Sequence, residues 1–92
     1  MSALYGFAFT DAALTFLEKV VTAKIRGQIK RKIEKLAADP FPPGSKKLKG
    51  VTEGGEAVHR VRSGKYRILY QVKDNQSEII ILDIGHRKDV YR

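Results

Sequence analysis

Val58-His59-Arg60-Val61-Arg62, Tyr66-Arg67-Ile68-Leu69-Tyr70-Gln71-Val72-Lys73 and Ile79-Ile80-Ile81-Leu82-Asp83-Ile84-Gly85-His86 lie one after another in the last third of the chain. Their β-branched and aromatic content reads as three strands. Ser63-Gly64 and Asp74-Asn75-Gln76-Ser77 separate them. Both breaks are short and turn-forming, so the strands pair as antiparallel hairpins. Successive side chains on a strand alternate between faces. Tyr66, Ile68, Tyr70 and Val72 therefore form an apolar row, while Arg67, Leu69 and Gln71 share the opposite face. On the preceding strand Val61 points one way and Val58, Arg60 and Arg62 the other. The third run is apolar on both faces, as a central strand is, and strict alternation places Arg87 on its Ile79, Ile81, Asp83 face. If helices cover the Tyr66 row, Arg60, Arg62, Arg67 and Arg87 converge on the uncovered side.

Upstream the period changes. Tyr5-Gly6-Phe7-Ala8-Phe9 alternates aromatic and small residues and reads as a first strand. Thr10 or Asp11 can then cap a helix over 11–20, in which Ala13, Phe16, Leu17 and Val20 fall on one stripe. Thr22 is a break and a second N-cap. A longer helix over 23–38 puts Ile25, Ile29, Ile33 and Leu36 on a core stripe and turns Lys24, Lys30, Arg31 and Lys35 away from it. Asp39-Pro40-Phe41-Pro42-Pro43-Gly44 ends that helix, because proline neither continues the ladder nor lets its predecessor stay helical. Ser45-Lys46-Lys47-Leu48-Lys49-Gly50 reads as a basic loop, closed by Gly54-Gly55. The resulting order is β-α-α-β-β-β: an α+β domain with a helical hairpin on one face of a four-stranded, mainly antiparallel sheet.

Composition bounds what such a domain can do. The 92 residues carry 18 Lys+Arg against 10 Asp+Glu, a formal charge of +8, within the size of one domain. Positions 19–49 hold ten basic residues against two acidic ones, and the remainder is balanced. Such a localised surplus is the footprint of a polyanion partner; a solvated helix face is the plainer reading. Absence of cysteine excludes disulfides, thiolate metal sites and cysteine nucleophiles and fits a reducing cytoplasm. No run approaches the ~18 apolar residues of a membrane span, and the start lacks the basic leader of a signal peptide, so a mature cytoplasmic protein is expected.

His59 and His86 are the only histidines, without carboxylates at ligand spacing, so no metal site is expected. The glycines do not space as a phosphate-binding loop, and no nucleotide or other small-molecule cofactor is indicated. Metal-free RNA strand cleavage remains available, because the RNA supplies its own 2′-hydroxyl nucleophile and arginine suits bidentate phosphate contact. His86 has the intrinsic pKa range for acid-base work. Tyr91 could stack on a base or shuttle a proton, or simply pack at the chain end. His59 alternates with the arginines and reads most simply as a half-buried core histidine.

His59-Arg60-Val61-Arg62-Ser63-Gly64-Lys65-Tyr66-Arg67-Ile68-Leu69-Tyr70 and Gly85-His86-Arg87-Lys88-Asp89-Val90-Tyr91-Arg92 resemble the signature of the RelE branch of the RelE/ParE toxin superfamily. The resemblance spans essentially the whole chain, including the proline break and Lys47-Leu48-Lys49-Gly50. It implies a type II toxin that cuts mRNA in the A site of the small ribosomal subunit, without metal, leaving a 2′,3′-cyclic phosphate. It also implies a small, acidic, helical antitoxin that holds the toxin inactive. By the same resemblance Arg67 and Arg87 stabilise the transition-state phosphate, Arg60 contacts the scissile region and Tyr91 stacks on or orients the nucleotide. Lys46, Lys47, Lys49, Arg62, Lys30 and Arg31 would grip ribosomal RNA. Val58 stands where some relatives place a lysine, and His86 replaces another lysine and is the candidate for its proton-transfer task. The Tyr-Arg-x-x-Tyr piece alone also fits the ParE branch, whose members inhibit DNA gyrase. A plain nucleic-acid-binding homologue without activity is the third reading.

Overall fold

The computed structural model describes residues 4–86, which leaves Arg87 and Tyr91 outside the described residues. Strand β1 (Gly6–Phe9) leads into α1 (Asp11–Thr15), which continues as a π-helical segment over Phe16–Val20. Helix α2 (Ala23–Leu36) follows, then strands β2 (Lys46–Glu53), β3 (Glu56–Ser63), β4 (Tyr66–Lys73) and β5 (Glu78–His86). The sheet order is β1-β5-β4-β3-β2, with β1 parallel to β5 and the other neighbours antiparallel. The fold is the expected α+β arrangement, with five strands where four are expected.

The extra strand is the stretch that reads as a basic loop. Lys46-Lys47-Leu48-Lys49 lacks the apolar alternation of a half-buried strand, and every residue of β2 except the half-buried Leu48 is exposed. Pairing with β3 alone makes it a strand: Lys46 stands opposite Arg60, Lys47 opposite His59, Thr52 opposite Ala57 and Glu53 opposite Glu56. Between those two sets of pairs, residues 48–51 arch away opposite Val58. The tip is a two-residue turn, Gly54 at φ 61° and Gly55 at φ 82°. Positive φ at both central positions is what a type I′ hairpin requires, and glycine adopts it without strain.

Both helix starts carry the expected caps. The Thr10 and Thr22 hydroxyls accept the backbone N–H groups of Ala13 and Ile25, satisfying donors that a helix start otherwise leaves open. Arg26, one of the basic residues of the charged segment, serves the fold instead. Its Nε donates to the Leu17 carbonyl at 2.6 Å and Nη2 reaches the Val21 carbonyl at 3.5 Å, closing the end of the π-helical segment.

Ala13, Leu17, Ile29, Ile33 and Leu36 bury the helical stripes against Val61, Ile68, Tyr70, Ile79, Ile81 and Ile84. Each fully buried isoleucine is worth about 1.5–3 kcal/mol of transfer free energy. The helices thus cover the Tyr66 row, as required for the arginines to face the other way. One detail departs from strict alternation. Leu69 pairs with Asp83 but Tyr70 pairs with Ile81, so Leu82 is an extra residue in β5, a β-bulge. The Thr10 hydroxyl donates to the Leu82 carbonyl at 2.6 Å, and the Thr10 N–H to that of Ile81 at 3.1 Å. The bulge switches the face of everything beyond it. Ile79 and Ile81 pack under the helices, whereas Asp83 and Gly85 align with Leu69 and Arg67 on the opposite face. The expected single row of Ile79, Ile81 and Asp83 is therefore corrected.

Candidate nucleic-acid interface

The face of the sheet turned away from the helices carries Arg60 and Arg62 on β3 and Arg67 on β4. Arg62 stands directly opposite Arg67, and Arg60 opposite both Lys46 and Leu69. Like charges opposite one another on one face are destabilising, so packing does not account for this row. Leu69 and Asp83 continue the face across β5. The β2–β3 hairpin folds over its far part: Gln71 Nε2 donates to the carbonyls of Glu53 at 2.6 Å and Glu56 at 3.3 Å, and Val58 is buried. Lys73 pairs with Glu56 at 2.7 Å beside them.

Arg60 is buried to 7 % exposure, and its Nε has no hydrogen-bond partner among the described residues. A buried guanidinium donor without an acceptor costs free energy. Arg62 is exposed and Arg67 half-buried. Arg60, Arg62 and Lys32 of α2 line one pocket together with Pro43, Gly44 and Val61. Lys32 belongs to the basic surplus of positions 19–49, but nothing in that run distinguishes it from its neighbours. It is the half-buried member of a helix whose Lys30 and Arg31 are exposed, and only the packing of α2 beside β3 reveals it.

The other candidates are distributed around this face. Lys46 and Lys47 are exposed on the β2 edge, and Lys49 lies in the arch. Lys30 lines a groove with Phe7, Phe9, Ile33 and Glu34 at the β1 side, well removed from β2 in sheet order. The structure thus separates Lys30 from the Lys46, Lys47, Lys49 group. His86 pairs with Tyr66, their rings edge to face at 5.9 Å, and Tyr66 in turn meets Phe16 at 5.9 Å. That row belongs to the helical side, so His86 does not share a face with Arg62 and Arg67. Arg87 and Tyr91 lie outside the described residues.

His59 occupies the helical side of β3, half-buried as its sequence position suggests. Its ring sits edge-on to Phe41 at 4.9 Å and tilted against Tyr70 at 5.7 Å. Burial, then the nearby Lys47 charge, pushes its pKa below the ordinary value. Tyr70 donates its hydroxyl to the Pro40 carbonyl at 2.7 Å, tying the proline segment to the sheet. Burial, above all, raises the Tyr70 pKa. Among the described residues no group of three His, Asp or Glu is placed to hold a metal ion. No described helix is long and apolar enough to cross a membrane.

Over residues 7–91 the sequence matches the family described as the ParE toxin of the type II toxin–antitoxin system, parDE. The chain belongs to the RelE/ParE toxin superfamily, and the relatives and solved structures it resembles are RelE-type toxins. It is similar to Toxin RelG of Mycobacterium tuberculosis, at 30% identity over 88 residues covering 96% of this chain and 97% of the relative. Two solved structures share its fold with matching coverage. The toxin–antitoxin complex RelBE2 of M. tuberculosis gives a TM-score of 0.75 at 27% identity, covering 91% of this chain and 99% of that one. The intact Escherichia coli RelBE complex gives 0.72 at 26%, covering 89% and 95%.

Proposed function

We propose that the protein is a ribosome-dependent endoribonuclease that inhibits translation by cutting mRNA in the ribosomal A site. The observation that carries this reading is the row of Arg60, Arg62 and Arg67 on the face the helices leave uncovered. The RNA 2′-hydroxyl gives up its proton as its oxygen attacks the adjacent phosphorus, the bond to the 5′-oxygen breaks, and that oxygen takes up a proton in turn. The products are a 2′,3′-cyclic phosphate and a 5′-hydroxyl. No metal is needed for this displacement, since charge on the phosphoryl oxygens is met by guanidinium groups. Arg67 supplies one of these, with Arg87 as the second, and Arg60 contacts the scissile region. Tyr91 orients the nucleotide or passes the proton. His86 is the second candidate for proton transfer, and it serves only if the RNA reaches around the end of β5. Lys46, Lys47 and Lys49 hold ribosomal RNA beside this face, and Lys30 and Arg31 of α2 hold it from the helical side.

A cognate antitoxin, small, acidic and helical, is the expected partner. Support comes from solved relatives that are toxin–antitoxin complexes and from the net charge of +8. A pull-down from the native host should recover such a protein.

Induced expression followed by mapping of mRNA 5′ ends tests the activity. Cuts at A-site codons are expected from the wild type and none from Arg67→Ala, with growth arrest lost in parallel. Full toxicity in Arg67→Ala would contradict the proposal. The match to the ParE family description favours one second reading, inhibition of DNA gyrase. A supercoiling assay separates the two, because a gyrase inhibitor blocks supercoiling and leaves mRNA intact.

A further inference from the structure

Lys32, Pro43, Gly44, Arg60, Val61 and Arg62 enclose a pocket of about 310 Å³ between α2, the turn over residues 42–45 and the β3 edge beyond the last β2 pair. Three of its six lining residues are cations and none is a carboxylate. Lys46, opposite Arg60, adds a fourth positive charge alongside. Among the described residues Lys32, Arg60 and Arg62 have no ion pair. Arg60 is more than nine-tenths buried, and its Nε has no hydrogen-bond acceptor among the described residues. Native proteins seldom leave such a donor unsatisfied; an ordered water or a bound anion completes it.

The turn wall is built to stay open. Ser45 N–H bonds to the Pro42 carbonyl at 2.9 Å, and Gly44 has φ 91°. Proline followed by glycine in a left-handed conformation is the requirement of a type II turn. The space beside Gly44, where another residue would carry its Cβ, is empty to 4 Å. The pocket is therefore cationic, free of carboxylates and walled on one side by a turn, a lining whose charge suits an oxyanion.

We propose that this pocket is a phosphate-binding site for the nucleic-acid backbone, in which Lys32, Arg60 and Arg62 hold a phosphate neighbouring the one that reacts. The proposal rests on the nucleic-acid reading of the arginine face. Arg62 links the two places: its side chain lines the pocket, and across the ladder it stands opposite Arg67. A strand held at Lys32 is thus directed along β3 onto β4. Holding the flanking phosphate supplies orientation, which an in-line displacement needs as much as it needs charge. Lys32 is a positioning residue here and touches no reacting atom.

Two probes test the site with full-length, antitoxin-free protein. Inorganic phosphate, titrated against chloride at constant ionic strength, should raise the unfolding temperature of the wild type and leave Lys32→Gln unmoved. A short 2′-O-methyl RNA, which cannot be cut, should bind Lys32→Gln about tenfold more weakly than wild type, the loss of one charge-assisted hydrogen bond. Lys24→Gln, which removes an exposed helix charge outside the pocket, should lose distinctly less. Arg62→Gln, at an exposed position, repeats the comparison if Lys32→Gln does not fold. Phosphate acting no better than chloride on the wild type overturns the site. Equal losses of RNA affinity in Lys32→Gln and Lys24→Gln, or a loss of affinity for an acidic peptide and none for RNA, overturns the nucleic-acid assignment. Protein that binds both probes through Lys32 yet leaves ribosome-bound mRNA intact keeps the pocket and removes the nuclease reading.

Discussion

His59 and Arg60 are neighbours that point to opposite sides of β3, and the sheet gives them opposite tasks. Arg60 is buried with an Nε that has no acceptor among the described residues, whereas His59 packs between Phe41 and Tyr70, where burial favours its neutral form. Because the folded-state pKa of His59 lies below its ordinary 6.5, the unfolded chain takes up its proton first as pH falls. The stability associated with neutral His59 is thus fully present above pH 6.5 and is lost on acidification from there down to the lowered folded value. His59→Phe keeps an aromatic ring against Phe41 and Tyr70 but cannot titrate. Thermal unfolding across this window should therefore show a smaller acid-side fall for His59→Phe than for wild type, and identical slopes would contradict the assignment. At Arg67 the planar fork matters more than the charge. Arg67→Lys should reduce cleavage by about 10²-fold, as expected on removing one preorganised donor to a developing oxyanion, while the unfolding temperature stays close to wild type. Single-turnover cleavage measures the first quantity and calorimetry the second.

Among the elements, the bulge in β5 and the start of α1 depend on one side chain. Thr10 accepts from Ala13 N–H as helix cap and donates to the Leu82 carbonyl at the extra residue. Thr10→Val keeps the shape and removes both bonds, and should cost about 1–2 kcal/mol, read as a lower denaturant midpoint at unchanged slope. Four strands, both hairpins, the two helical stripes and the Thr10 and Thr22 caps were legible in the sequence, because periodicity and turn chemistry are local. Strand β2 was not, since its exposed lysines carry no buried face and its register with β3 is broken by the arch over residues 48–51. The bulge was not legible either. Ile79 to Ile84 is apolar at nearly every position, so a one-residue slip leaves no mark on the pattern. The same limit applied to the site. Arg60, Arg62 and Arg67 were found by alternation within strands, whereas Lys32 joins them only through tertiary packing.

At the scale of the whole molecule, helices on one side of the sheet leave the other side to an arginine row. The net charge of +8 adds further cations, of which Lys46 and Lys32 stand beside that row. Binding to ribosomes should weaken steeply as salt rises, since each neutralised phosphate releases counterions. Filter binding across a salt series reads the slope, and Lys46→Gln should lower it by about one unit. A flat salt response would remove the polyanion reading of the charge. The central claim is the cleavage itself, and one measurement reaches it directly. Folded, antitoxin-free protein is incubated with EDTA and a defined mRNA, once on programmed ribosomes and once as naked RNA. Cuts at the A-site codon in the ribosome lane alone are the predicted result. Intact RNA in both lanes, together with inhibited supercoiling by gyrase, would contradict the account.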